Sequence, residues 1–248
     1  MLSSAAIPGQ MNVILGDVLN QSFDGLFPSE IGTDWEDSCP PINIISNLPY
    51  NIGIPMILKF LNLISKQEGI FKLGRVPITM TFQKEIAERI TAQVLDFNRS
   101  RLSIMCQNYC DVNLKFDIPS KYFTPRPKVD SAVVRFIPRK TPLFPDVDFK
   151  TFERFIRHFF HYRRKYIKHC TATLFPSTLQ ELNNELYSQT GIDQQLGCAW
   201  LSIQEIGELI KVYMKICKDY PGLENFNYQA SKRKVLEDTE KLTLYKKL

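Results

Sequence analysis

Ile42-Asn43-Ile44-Ile45-Ser46-Asn47-Leu48-Pro49-Tyr50 decides the reading of this chain, because an apolar run followed by Asn-x-Pro-aromatic reads as a buried strand that delivers a stiff turn at its carboxyl end. Pro49 fixes its own φ and biases Leu48 towards an extended backbone, which holds the Leu48 carbonyl in a set direction. Asn47 places a side-chain oxygen beside it. Two fixed acceptors suit a planar amine whose lone pair is conjugated into a ring, since pulling its two hydrogens out of plane makes it a better nucleophile. Acceptors preorganised in this way are worth roughly 3 kcal/mol each in a transition state. The Tyr50 ring offers a face for the base itself. These residue types point to methyl transfer onto a nucleobase. An ordinary strand-end turn with a packed tyrosine has the same four letters, so the rest of the chain has to decide.

Downstream, Phe123-Thr124-Pro125-Arg126-Pro127-Lys128-Val129-Asp130-Ser131 leads into the alternating segment Ala132-Val133-Val134-Arg135-Phe136. Two prolines around an Arg make a stiff, extended arm carrying an aromatic suited to base stacking, and the alternation after it reads as a half-buried strand. With NLPY and FxPxPxVxS both present in this order, the chain resembles the KsgA-type rRNA adenine dimethyltransferases. Thr81-Phe82-Gln83-Lys84-Glu85-Ile86-Ala87-Glu88-Arg89 and Phe159-Phe160-His161-Tyr162-Arg163-Arg164-Lys165 are also similar to that family. Leu201-Ser202-Ile203-Gln204-Glu205-Ile206 through Cys217 resembles its mitochondrial branch. The resemblance covers nearly the whole chain. It implies an α/β fold, a Rossmann-like class I S-adenosylmethionine methyltransferase sheet followed by a small all-helical domain.

Enzymes of this class hold the methionine end of S-adenosyl-L-methionine on a glycine-rich turn after the first strand, and the ribose on an acid after the second. No two of the eleven glycines stand two residues apart, so the sequence holds no Gly-x-Gly. Val13-Ile14-Leu15-Gly16-Asp17-Val18-Leu19 resembles the third strand of the family and the loop after it. The expectation is a domain that lacks its amino-terminal part and the middle of its sheet, poorly stable and inactive as it stands.

Composition sets wider bounds. A chain of 248 residues, 44% of them hydrophobic, can bury one substantial core and a small appendage. A formal charge of +5 and a pI near 8.8 are mildly basic, consistent with a nucleic-acid partner without requiring one. Cys39, Cys106, Cys110, Cys170, Cys198 and Cys217 form no CxxC pair and read as free thiols in a reducing compartment. His158, His161 and His169 are the only histidines. The first two are expected on one helix face without an obvious cysteine or carboxylate beside them, so no metal is expected. No apolar run reaches the ~18–20 residues of a bilayer span, so no membrane is expected. Met1 to Gln10 holds neither Arg nor Lys and reads as neither a signal peptide nor a presequence. The mitochondrial (matrix) address implied by the resemblance would lie in sequence that is not here.

The pattern predicts a strand near 12–16, a loop from 21 to 41, a buried strand at 42–46, and a helix through 56–64 with Pro55 in its first turn. Ile78, Met80 and Phe82 mark another strand, and a helix with Ile86, Ile90 and Val94 on one face follows. Strands near 109–116 and 131–137 would pair as a closing antiparallel arm of a mixed sheet. Helical patterns follow Pro142, so the expected division is a partial methyltransferase domain at 1–141, a helical RNA-contacting domain at 142–224, and a charged tail at 225–248, disordered and solvated.

Between Arg154 and Lys168 stand Arg154, Arg157, Arg163, Arg164, Lys165 and Lys168, with no acid among them. Phe152, Phe155, Ile156 and Phe159 read as the core face of an amphipathic helix. The cluster Arg163-Arg164-Lys165 reads as phosphate contacts, because like charges so close repel unless a polyanion compensates them.

The resemblance assigns further roles. Asp17 would accept from the exocyclic amine of the cofactor's adenine, with the Val18 backbone against the same ring. Asn47 would lie near the cofactor and grip the target amine with Leu48, followed by Pro49. Tyr50 and Phe123 would stack on an adenine that has left its helical stack, most accessibly in an RNA hairpin loop. The activity implied is dimethylation of adjacent adenines in rRNA of the small ribosomal subunit. The alternative is a non-catalytic RNA-binding, ribosome-assembly or transcription factor that uses the basic helical part alone.

Overall fold

The computed structural model describes residues 11–244; Met1 to Gln10 and the Lys246-Lys247 pair lie outside that range. Strands β1 (Ile44–Ser46), β2 (Ile78–Gln83), β3 (Cys110–Ile118) and β4 (Ser131–Pro138) form one mixed sheet in the order β1-β2-β4-β3. β1 and β2 are parallel, with Ile44 opposite Ile78. A parallel pair needs a crossover, and α1 (Tyr50–Lys66) supplies it, burying Met56, Ile57, Phe60, Leu61 and Ile64. β2 alternates as expected, with Ile78, Met80 and Phe82 buried. β4 lies antiparallel between β2 and β3 and closes the arm expected from the sequence. Its Ala132, Val133, Val134 and Phe136 are all buried, as a strand with neighbours on both edges requires.

Four expectations for the first hundred residues change. Residues 12–16 form no strand: Val13, Ile14 and Leu15 are irregular and exposed. A strand needs a neighbour to take its backbone N–H and C=O groups, and the sheet offers this segment none. β1 is an edge strand rather than a buried one. Ile42 is buried, but Ile45 is 81% exposed, and among the described residues β1 pairs with β2 alone. α1 begins six residues earlier than expected, directly after Pro49, so Pro55 stands inside it and removes one helical N–H. The following helix, α2 (Lys84–Thr91), buries Ala87 and Ile90 but stops before Val94, which is exposed in the next loop. That loop is shaped by turn chemistry, with the Asp96 carboxylate accepting from Asn98 N at 2.7 Å. It ends at Ser100, which with Ser103 makes a capping box for α3 (Arg101–Tyr109).

After β4 come helices α4 (Phe149–Phe159), α5 (Ile167–Thr171), α6 (Glu181–Thr190), α7 (Ile203–Asp219) and α8 (Lys232–Leu244). Asp148 caps α4 by accepting from Lys150 N and Thr151 N, and the expected core face of Phe152, Phe155, Ile156 and Phe159 is buried. The sheet and the helices share one apolar core. They meet where Leu143 N and Phe144 N donate to the Asn108 backbone and side-chain oxygens at 3.1 and 3.0 Å. There the Phe144 ring lies against Gly207 of α7 and 5.6 Å from the Phe152 ring. The tail differs from the disordered end expected of its charge. α8 buries Thr239 and Leu242, and Thr178 Oγ1 and Thr243 Oγ1 lie 2.8 Å apart, because Val235 and Leu242 give this polar segment one apolar side.

Candidate functional site

The Asn47-Leu48-Pro49-Tyr50 turn connects β1 to α1 at the carboxyl end of the two parallel strands, where open α/β sheets place ligand crevices. Pro49 (φ −50°, ψ 140°) is the residue before the helix, and Ile52 N donates to its carbonyl at 2.9 Å. Asn47 and Pro49 are exposed, and Leu48 and Tyr50 half-buried. Behind the turn, Gly53 lets α1 approach β2 closely: a Cβ there would lie 3.3 Å from the Phe82 ring.

The second motif folds back onto the first. Tyr50 Oη and Ser131 Oγ are 2.7 Å apart, and Ser131, the last residue of FTPRPKVDS, pairs with Gln83 at the start of β4. The arm is a closed loop rather than the extended rod expected. Ser120 N donates to Asp130 Oδ1 at 2.8 Å, Arg126 Nε to Ser120 Oγ at 3.2 Å, and Lys84 N to the Asp130 carbonyl at 2.9 Å. Phe123, half-buried, follows a single turn over Ser120–Tyr122, and its N–H donates to Ser120 O at 3.2 Å. The Thr124-Pro125 peptide is cis. A serine that begins an alternating strand carries no sequence signal that its hydroxyl meets a tyrosine 81 residues away.

Asp17 and Val18 lie on a separate turn. The two Asp17 carboxylate oxygens accept from Leu19 N at 2.9 Å and Asn20 Nδ2 at 2.8 Å. Lys59 of α1 holds this turn by donating to Leu19 O and Gln21 O at 2.8 and 2.7 Å. Lys59 stands nine residues after Tyr50, so at 1.5 Å per residue the turn is anchored about 13 Å along α1 from the Asn47 turn. An ionised carboxylate has lone pairs beyond those two bonds, so exposed Asp17 fits an acceptor for an exocyclic amine. For the methionine end of S-adenosyl-L-methionine, no Gly-x-Gly turn is present.

Arg163, Arg164 and Lys165 occupy the turn between α4 and α5, not a helix face. Arg164 and Lys165 are exposed, and the Arg163 guanidinium lies 5.3 Å from the Phe97 ring centroid. Arg154, from the same basic run, is committed to the fold. It is buried and donates to Tyr213 Oη at 3.3 Å, Leu223 O at 3.4 Å and Phe226 O. His158 sits in α4 while His161 is in the turn after it, so the two do not share a helix face. Among the described residues no three His, Cys, Asp or Glu gather as a metal site, and no helix is long and apolar enough to cross a membrane. The cysteines are unpaired. Burial pushes the Cys170 thiol up to about 11 and Cys198 to about 12, so neither is a thiolate nucleophile.

Comparison with known proteins bears on this geometry. The model of a family described as ribosomal RNA adenine dimethylase matches residues 5–215. Mitochondrial dimethyladenosine transferase 1 of Bos taurus is 38% identical over 234 residues, covering 94% of this chain and 68% of the relative. Dimethyladenosine transferase 1, mitochondrial, of Homo sapiens is 39% identical over 243 residues, covering 97% and 70%. The crystal structure of a dimethyladenosine transferase from Plasmodium falciparum matches with a TM-score of 0.54 at 23% identity, covering 74% of this chain and 71% of that one. That likeness bears on the fold, a Rossmann-like methyltransferase sheet followed by helices. With its two sequence motifs joined at one end of that sheet, the chain belongs to the ribosomal RNA adenine dimethylase family.

Proposed function

We propose that this chain carries the target-base site of an enzyme that dimethylates adjacent adenines at N6 in a hairpin loop of the small-subunit rRNA of mitochondria, using S-adenosyl-L-methionine and acting in the matrix. The observation that carries the reading is the 2.7 Å contact between Tyr50 and Ser131, because it locks the aromatic of one motif to the end of the other. When bound, the cofactor supplies an electrophilic methyl group. The Asn47 side-chain oxygen and the Leu48 carbonyl accept the two hydrogens of the adenine amine, freeing its lone pair for attack. Pro49 keeps that carbonyl in place, so the acceptors do not reorganise as charge develops. Tyr50 and Phe123 hold the unstacked base, each face worth ~1–3 kcal/mol. No general base is required, since the amine becomes cationic as it is alkylated and sheds its proton to water. Asp17 and the Val18 backbone hold the adenine end of the cofactor, and Arg163, Arg164 and Lys165 hold RNA phosphates.

The test is incubation of the protein with the cofactor and a synthetic small-subunit rRNA hairpin, followed by mass spectrometry of the digested RNA. Dimethyladenosine is expected, and its absence refutes the reading. The second reading, an RNA-binding factor without catalysis, is favoured by the exposed cations at 164–165. It predicts salt-sensitive RNA binding indifferent to the cofactor.

A further inference from the structure

The loop between α2 and α3 and the loop before α7 enclose a cleft of about 350 Å³ whose lining includes Phe97, Arg99, Arg163, Arg164 and Trp200. That is within the ~300–1,000 Å³ of small-molecule sites. The two loops are tied together by Leu95 N, which donates to Ala199 O at 3.0 Å. The Arg99 guanidinium ties them again, with Nη1 donating to Ala199 O at 3.1 Å and to Leu201 O. Arg99 is only 1% exposed, yet its Nε and Nη2 have no hydrogen-bond partner and no ion pair engages it among the described residues. Burial there outweighs the field of Glu205, so the guanidinium is held below its ordinary pKa. A buried cation short of partners favours an anion at the mouth of the cleft. The one carboxylate in the lining, Asp96, is already engaged by Asn98 N.

Two aromatic side chains flank these charges in the open. Phe97 is 83% exposed and Trp200 62%. Large rings left in water beside guanidinium groups match a ligand with a flat π-face and a phosphate. An acidic peptide would use the cations and leave the rings idle.

We propose that this cleft takes one unstacked nucleotide of an RNA strand, its phosphate on Arg163 and Arg164 in the field of Arg99 and its base on Trp200. The inference rests on the RNA substrate proposed above and adds a second point of contact, so that the single-stranded flank of the modified hairpin is held by the helical part of the chain.

Replacing Arg99 would release both loops, so the test uses exposed positions. The full chain carrying Trp35→Phe leaves Trp200 as its one tryptophan. Its emission is followed during titration with the rRNA hairpin bearing a single-stranded flank, and affinities of further variants are measured against salt. Trp200 emission is expected to be quenched. Trp200→Ala should weaken binding about 5- to 150-fold, the span of one stacked base, and Arg164→Glu should weaken binding and reduce the log-affinity against log-salt slope by about 1. Unchanged emission at saturation, or Trp200→Ala within twofold of the parent, overturns the proposal. Dimethyladenosine is measured on the same samples. Its formation with an unaffected Trp200→Ala rejects the cleft alone, its absence with a weakened Trp200→Ala rejects the methyl-transfer reading alone, and no RNA binding by the parent rejects both.

Discussion

Replacing Gly207 by alanine should change sign according to what stands opposite it. An added Cβ would lie 2.0 Å from Phe144 Cε1, 2.7 Å from Cδ1 and 2.9 Å from Cζ. Apolar carbons prefer ~3.5–4.0 Å, so the ring has to retreat by about 1.5 Å. It has little freedom to do so, because Phe144 N is bonded to Asn108 Oδ1 and the ring is buried against Phe152. Overpacking of this kind costs ~1–3 kcal/mol, against a helix-propensity gain of ~0.8–1 kcal/mol for Ala over Gly. Gly207→Ala should therefore destabilise the chain by up to about 2 kcal/mol. In a Phe144→Ala background, itself lowered by ~3–5 kcal/mol, the new methyl has room and only the propensity term remains. There the same substitution should stabilise by about 1 kcal/mol. Urea denaturation of the four chains measures both effects. Equal destabilisation by Gly207→Ala in both backgrounds would refute the reasoning, since it would mean that the Phe144 ring is not what keeps position 207 bare.

Three further predictions concern the site and its support. Tyr50→Phe and Ser131→Ala should couple by ~0.5–1.5 kcal/mol in a double-mutant cycle of stability, as one neutral hydrogen bond does; strict additivity would show that the two motifs are not joined. Asn47→Ala should lower kcat for methyl transfer about 10²- to 10³-fold with little change in RNA affinity, and a loss confined to KM would remove Asn47 from the reacting amine. His158 is buried beside Arg154 and Arg157, with Nδ1 2.7 Å from Thr173 Oγ1, and burial first and these cations second lower its pKa to about 3. Above pH 6.5 it is neutral folded or unfolded and contributes no slope. Below that, only the unfolded chain takes the proton, so stability falls by about 1.4 kcal/mol per pH unit towards pH 3. His158→Gln should flatten the dependence between pH 6.5 and 5, and an unchanged slope would place the titration elsewhere.

Local patterns carried much of the fold. The alternation of Ile78, Met80 and Phe82 and the spacing of Phe152, Phe155, Ile156 and Phe159 survive intact, because one face of each segment is buried by neighbours that demand that period. What escaped depends on partners. Val13-Ile14-Leu15 has the composition of a strand but no adjacent strand, and Ile45 is apolar on an open edge. α8 reads as too polar to hold, yet Val235 and Leu242 pack it against the core. At the candidate site the turn at 47–50 was legible as a four-residue motif. The Ser131 clamp was not, nor was Arg99, whose burial is decided by carbonyls a hundred positions along the chain.

The clamp on Tyr50 also has a timetable. Ser131 leaves the peptidyl-transferase centre 81 residues after the tyrosine it holds, roughly 4–16 s later at ~5–20 residues per second. From the synthesis of Gln83 until then β2 has only the short β1 beside it, because its other neighbour is the strand that Ser131 begins. A nascent chain that pauses between Gln83 and Ser131 displays the Asn47–Tyr50 turn unclamped beside an unsealed strand edge, the moment at which a chaperone is most needed and a premature stop most harmful.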